Sequence, residues 1–224
     1  MLYLTFVIEK PEAVFGNTRG ILYICRRDSI SAYGGRRCPG KICLAMKRIG
    51  IISDTHSWWD DKYLQYFEEC DEIWHAGDIC GMDIIERLGA PFGTDSEGNP
   101  KTRIVRAVCG NCDGGDLRLA FPEILRWRCE GVEVMMKHIG GYPGRYDSSI
   151  VRQIHSNPPQ LFISGHSHIL KVMADKSLGL LHINPGAAGI QGWHVERTLV
   201  RLTIDGGQMK DLDVVTLGNR GAQV

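Results

Sequence analysis

No apolar run in this chain approaches the roughly 20 residues needed to cross a bilayer, which argues against a membrane-spanning protein. The short apolar stretch 2–8 has no basic segment before it and no small-residue cleavage site after it, so it reads poorly as a secretion signal. Charge of one sign is not in excess, since 26 Lys and Arg balance 26 Asp and Glu. The balance is uneven along the chain: residues 1–48 hold nine basic against three acidic side chains, which leaves 17 against 23 for the remainder. A mildly acidic main body offers no broad basic face to duplex nucleic acid, although bound divalent cations would invert the sign locally. A disulfide framework is also missing. The eight cysteines, at 25, 38, 43, 70, 80, 109, 112 and 129, are scattered through strand-like and helix-like segments, which fits reduced thiols and a cytoplasmic setting.

What is present is enough for one well-buried domain with an appendage: 224 residues, 43% hydrophobic and 23% charged. From Arg48 onward short apolar runs alternate with amphipathic stretches, the pattern of βα units. The pattern predicts strands over 49–53, 72–75, 104–108, 132–137 and 161–164, and helices over 61–69, 82–88 and 148–155. After Gly165 the character becomes antiparallel, with strands over 169–174, 180–183, 199–204 and 208–215, the last two joined at Asp205-Gly206-Gly207. Residues 91–103 are dense in turn formers and read as an exposed excursion. Residues 1–45 do not share the alternation and read as an N-terminal extension, disordered or a start-site artefact with Met46 as the true beginning, ahead of a domain over 46–224. Zinc binding by Cys25, Cys38 and Cys43 would need paired CxxC spacing, which those three lack.

The chemistry lies where predicted strands end. Asp54-Thr55-His56 follows the first strand, and a carboxylate and an imidazole two apart on an extended segment lie on the same side. Alone, Asp-x-His is a weak signal. Its force comes from repetition, because each later strand that could edge the same site also ends in a metal-type ligand beside glycine. Gly77-Asp78, Gly110-Asn111-Cys112-Asp113, His138 before Gly140-Gly141, and Gly165-His166-Ser167-His168 follow in order. Imidazoles, carboxylates and one amide oxygen form a mixed N/O set suited to Mn, Fe, Ni, Co or Zn in a catalytic role.

These blocks, over most of the span from Arg48 to Leu217, resemble the calcineurin-like metallophosphoesterase superfamily, and Gly-Asn-Cys-Asp, Gly-His-Ser-His and Asn184-Pro185-Gly186 resemble its small YfcE-type phosphodiesterases. The resemblance implies an α/β fold, a four-layer α-β-β-α sandwich of two mixed β-sheets. It implies two divalent metal ions, manganese foremost: Asp54, His56 and His168 around the first, Asn111, His138 and His166 around the second, and Asp78 between them. The implied activity is metal-dependent hydrolysis of a small phosphodiester by a metal-bridging hydroxide. A phosphomonoesterase with the same site is the nearest alternative. A non-catalytic interaction module on this scaffold, as in the retromer subunit with a phosphoesterase fold, would predict eroded ligands, whereas every ligand position here carries a metal-competent side chain. Homo-oligomerisation is left open.

Two departures qualify the resemblance. Where many superfamily members have a histidine able to protonate the leaving oxygen, this chain has Cys112, with Asp113 then free to orient a neighbour such as His56. After His138 the chain reads Ile139-Gly140-Gly141-Tyr142-Pro143-Gly144-Arg145-Tyr146, either a turn-rich connector or a substrate rim in which Arg145 meets phosphate and Tyr142 or Tyr146 stacks on an organic group. Trp58, Trp59 and Trp193 are further rim candidates, and His75, His155 and His182 read as structural.

Overall fold

A computed structural model describes residues 46–94 and 96–221, so the reading of residues 1–45 lies outside the described residues. The elements run β1 (Lys47–Ile52), α1 (Lys62–Tyr66), β2 (Glu72–His75), α2 (Met82–Leu88), β3 (Ile104–Ala107), α3 (Gly115–Ala120), β4 (Ile124–Cys129), β5 (Val132–Lys137), β6 (Gly141–Tyr142), β7 (Arg145–Tyr146), α4 (Val151–Ser156), β8 (Leu161–Ile163), β9 (Lys171–Asp175), β10 (Leu180–Asn184), β11 (Glu196–Asp205) and β12 (Gln208–Asn219). Two five-stranded mixed sheets result, ordered β12-β11-β1-β2-β3 and β4-β5-β8-β10-β9. In the first, β1, β2 and β3 are parallel, and in the second β5, β8 and β10 are parallel. The expected four-layer α-β-β-α sandwich is therefore the observed architecture.

Three apolar clusters make the layers. Between the sheets, Ile49, Ile51, Trp74 and Val108 of the first meet Val134, Met136, Leu161 and Ile183 of the second. On the outer face of the first sheet, Ile73 and Leu199 pack with Tyr63, Ile84, Ile85 and Leu117 from the helices α1 to α3. Ile150 and Ile154 of the α4 region cover Met135 and Phe162 on the outer face of the second. Central strands buried on both faces read as near-continuous apolar runs, which is why Ile49 to Ile52 and Leu161 to Ile163 stand out in the sequence. None of the helices in the described residues is long and apolar enough to cross a membrane.

The departures from expectation have local causes. Strand β4 was not anticipated, though Leu125 and Trp127 pack against the inter-sheet core in alternation with Arg126 and Arg128. Helix α3 starts at a glycine pair with no side-chain cap, so its sequence signal is faint. The predicted helix 61–69 ends at Phe67 in a turn, with the Cys70 amide donating to the Phe67 carbonyl. The β11–β12 hairpin turns on Gly206-Gly207, whose φ angles of 57° and 85° are those of a type I′ turn. Residues 91–94 and 96–102 form the exposed excursion, pinched by one bridge between Thr94 and Pro100, while Arg103 is buried with its Nε donating to the Phe67 carbonyl.

Away from the ligand-bearing loops the sandwich is tied by buried charge. Glu72, 1% exposed, accepts from Lys47 Nζ (2.5 Å), Trp74 Nε1 (3.0 Å) and Arg106 Nε (3.0 Å). Trp74 meets Trp127 of the other sheet edge-on at 4.8 Å. A second buried pair joins Arg197 to Asp60 at 2.7 Å and fixes the loop before α1 to β11.

Burial opposes ionisation of Glu72, but Arg106 and Lys47 outweigh it and hold its pKa below the usual carboxylate range. A depressed folded-state pKa adds stability that is full above the unfolded value and is lost as pH falls through the folded one. Glu72→Gln should therefore cost about 3 kcal/mol at neutral pH, the order expected when one partner of a buried ion pair is removed. The loss of Tm between neutral pH and roughly pH 3 should be shallower in the variant than in the parent, which thermal melts across that range would show.

Candidate metal centre

Both sheets present the carboxyl ends of their parallel strands to one edge of the sandwich, where side chains leave the pleat and can converge. Loops after β1, β2 and β3 deliver Asp54, His56, Asp78, Asn111 and Cys112, and loops after β5 and β8 deliver His138, His166 and His168. Ligand atoms gather in three overlapping groups, each with its atoms within 4.8 Å of one another: Asp54, His56 and His168; His56, Asp78 and Cys112; Asp78, His138 and His166. His56 and Asp78 each belong to two groups. Asn111 is exposed beside them, its amide N–H donating to Cys112 Sγ at 3.3 Å.

The loops are shaped around this convergence. Nine non-glycine residues among those described have positive φ, and five of them are Asp54, His56, Asp78, His166 and His168. Such backbone is unfavourable for residues with a Cβ and persists where the surroundings enforce it, so the strain is concentrated on the candidate ligands. Glycine permits the close approach. A Cβ on Gly77 (φ 97°) would lie 2.7 Å from the His138 ring, and one on Gly110 would strike the Asp78 carboxylate and backbone nitrogen.

Hydrogen bonds then aim the ligands. Ser53 Oγ donates to Asp54 Oδ2 at 2.6 Å, the His166 amide donates to the same oxygen at 3.2 Å, and Oδ1 is left facing inward. The Cys112 amide donates to Asp78 Oδ1 at 2.8 Å, leaving Oδ2 toward His138 Nε2 (3.2 Å) and His56 Nε2 (3.7 Å). His138 Nδ1 lies 2.8 Å from the Ala76 carbonyl, which only an N–H can satisfy, so Nε2 is the nitrogen turned to the carboxylates. His168 Nε2 stands 3.2 Å from Asp54 Oδ1.

Asp54 Oδ1, His56 Nε2 and His138 Nε2 are fully buried and have no hydrogen-bond partner in the protein. Buried Asp54 and Asp78 have only histidines as ion-pair partners among the described residues. Two carboxylates buried together without Lys or Arg are unfavourable unless a positive charge is supplied. Burial works against a charged His138, but the nearby carboxylates of Asp78 and Asp54 win and raise its pKa; Asp78 is held far below the usual carboxylate range despite its own burial. The donor set, three orphaned atoms and an uncompensated pair of carboxylates fit divalent cations.

The other candidates fall elsewhere. Asp113 was expected to orient a group such as His56; instead its buried carboxylate accepts the amides of Cys80 and Gly110, both at 2.7 Å, and braces two ligand loops against each other. The atom facing His56 Nδ1 is Cys80 Sγ at 3.5 Å, on a residue with positive φ, and sequence reasoning gave it no role. Arg118 of α3, also missed, clamps the same loop through the Asp113 and Gly110 carbonyls. Asn184 was part of the recognised Asn-Pro-Gly block, and its amide donates to the Gly165 carbonyl at 2.8 Å under the His166 loop.

Of the rim candidates, Tyr146 is turned into the outer core, its hydroxyl donating to Asp175 at 2.9 Å and its ring against Phe162. Tyr142 lies beneath Lys171 Nζ at 3.4 Å, and Arg145 is exposed in a groove with His155 and Lys176. Trp59 packs edge-on to Tyr63, and Trp193 is 98% exposed. His75 donates from Nε2 to Thr55 Oγ1 and accepts the Gly77 amide at Nδ1; burial pulls its pKa down to about 4, so it is a neutral structural histidine.

The sequence profile of the calcineurin-like phosphoesterase superfamily domain matches residues 46–207. Solved structures of similar fold include a predicted phosphoesterase from Streptococcus pneumoniae TIGR4 (22% identity, 77% of this chain and 91% of that one, TM-score 0.51) and an archaeal phosphodiesterase (21% identity, 76% and 99%, TM-score 0.54). Vps29 of Entamoeba histolytica, solved with Zn²⁺, is similar at 17% identity over 75% and 98% of the two chains, with TM-score 0.51. No curated protein matches the chain by sequence.

A methyl group at Gly110 cannot be placed without moving Asp78. Gly110→Ala should weaken divalent-cation binding by about 10- to 100-fold, the range seen when ligand-supporting contacts are lost, and calorimetric titration with circular dichroism as the folding control would measure it.

Proposed function

The chain belongs to the calcineurin-like phosphoesterase superfamily, and on that footing we propose that it hydrolyses a small phosphodiester at the centre formed by Asp54, His56, Asp78, Asn111, His138, His166 and His168. The observation that carries the reading is the convergence of orphaned, buried donor atoms from both sheets on one edge. Asp54, His56 and His168 would hold one divalent cation and Asn111, His138 and His166 a second; Asp78, grouped with His138 and His166 and 3.7 Å from His56 Nε2, would be shared between them. Such a pair would supply charge neutralisation to a phosphate and lower the pKa of a water, with manganese the cation proposed first among Mn, Ni, Fe, Zn and Co.

The protein's own contribution is positioning. Ser53, the His166 amide and the Cys112 amide occupy one oxygen of each aspartate, so that the other faces inward. His138 is fixed by Ala76 with Nε2 inward, and the glycines let loops from two sheets close on one volume. At the position after Asn111 there is no imidazole to protonate a leaving oxygen, which favours esters whose leaving group departs unaided. The five described cysteines are free, in keeping with a reducing, cytoplasmic setting.

A second reading, a protein-docking module, is favoured by the fold likeness to Vps29 and by the apolar side chains of Ile169, Leu170, Val172 and Met173 exposed on and before edge strand β9. Activity separates the two. Metal-stripped protein should regain hydrolysis of an activated aryl phosphodiester on addition of Mn²⁺, faster than that of the matched monoester. Asp78→Ala should lower the rate by more than about 10²-fold, the loss expected from removing one preorganised electrostatic contact. Absence of hydrolysis of both the diester and the monoester with Mn, Ni, Co and Zn alike would leave the docking reading.

A further inference from the structure

The thiol of Cys112 stands inside the donor set. Its sulfur, a ring nitrogen of His56 and a carboxylate oxygen of Asp78 lie within 4.8 Å of one another. The His56 side chain is 5% exposed and that of Asp78 3%; His56 Nδ1 faces Cys80, and its Nε2 is buried without a hydrogen-bond partner. The Cys112 amide is tied to Asp78 Oδ1, and Arg118 and Asp113 hold the rest of its loop, so the sulfur is carried on fixed backbone. Cys112 itself is exposed, on the open side of the cluster. A sulfur held this close to a buried imidazole and a buried carboxylate has the company of a ligand.

We propose that Cys112 is itself a metal donor, closing the His56–Asp78 side of the centre with a sulfur–cation bond when no substrate is bound. This rests on the metal-centre reading above. On coordination the thiol proton passes to solvent, so one proton is released as one sulfur–metal bond forms. The donor set is then softer than its histidines and carboxylates alone would make it. Thiolate favours zinc, cobalt and cadmium over manganese and magnesium. Because the sulfur occupies the solvent side, a phosphate entering the centre must displace it, and the chain would discriminate among cations most strongly in the resting state.

Cobalt(II) tests this directly, because a thiolate bound to cobalt gives a near-ultraviolet charge-transfer band that nitrogen and oxygen ligands do not. Full-length protein is stripped of metal, loaded with Co²⁺ alone, and its cobalt content measured independently of the spectrum. The band should be present in the parent and in Cys80→Ser, absent from Cys112→Ser, and diminished by inorganic phosphate. Zinc affinity should fall at least about 10-fold in Cys112→Ser, while manganese affinity changes less. Cobalt bound without the band, or a band retained in Cys112→Ser or lost in Cys80→Ser, would overturn the assignment while leaving the metal centre standing. Failure of the parent to bind cobalt at all would overturn both.

Discussion

Two carboxylates, Asp54 and Asp78, are buried at one edge of the sandwich with histidines as their only ion-pair partners among the described residues. Much of the local structure can be understood as the means of holding them there. One oxygen of each is satisfied by the chain, through Ser53 and the His166 amide for Asp54 and through the Cys112 amide for Asp78. The second oxygen of each is kept for something else. Lysine or arginine on those oxygens would have closed the centre; leaving them to imidazoles keeps positive charge a demand that only protons or cations can meet.

The cost of that arrangement is visible in the backbone. Asp54, His56, Asp78, His166 and His168 all adopt a left-handed conformation that glycine or asparagine would accept more readily. Chemistry requires the carboxylate and imidazole side chains, and the two hydrophobic clusters flanking the first sheet are extensive enough to hold the strained loops.

Much of this was legible in the sequence, for identifiable reasons. Parallel central strands are short apolar runs, and ligands at their carboxyl ends sit beside glycines, so periodicity and motif reinforced one another at Ile49 to His56 and Leu161 to His168. Strand β4 escaped because arginines interrupt its apolar residues, and α3 because its start carries no cap. Roles set by three-dimensional neighbours escaped too. Nothing in the order of residues says that Asp113 serves backbone amides, that Cys80 meets His56, or that the Tyr146 hydroxyl is taken by Asp175. A motif names residue types at a site; which partner each one faces depends on loops that approach from elsewhere in the chain.

The Glu72 network lies toward the opposite ends of the same strands. There Lys47 reaches both Glu72 and Glu130, and the Glu130 carbonyl receives the Gly207 amide, so the two sheets are fastened by the protein's own groups. At the ligand edge the chain joins the sheets as well, through His138 on the Ala76 carbonyl, the His166 amide on Asp54 and the Ala188 amide on the Ser53 carbonyl, with inward donor atoms left between them. The sandwich thus resembles a book bound along both margins, one of them with room for a removable clasp. Cation loading should act on how often that margin parts, and amide exchange in the loops after β1, β5 and β8 would respond before that in the strands around Trp74 and Trp127.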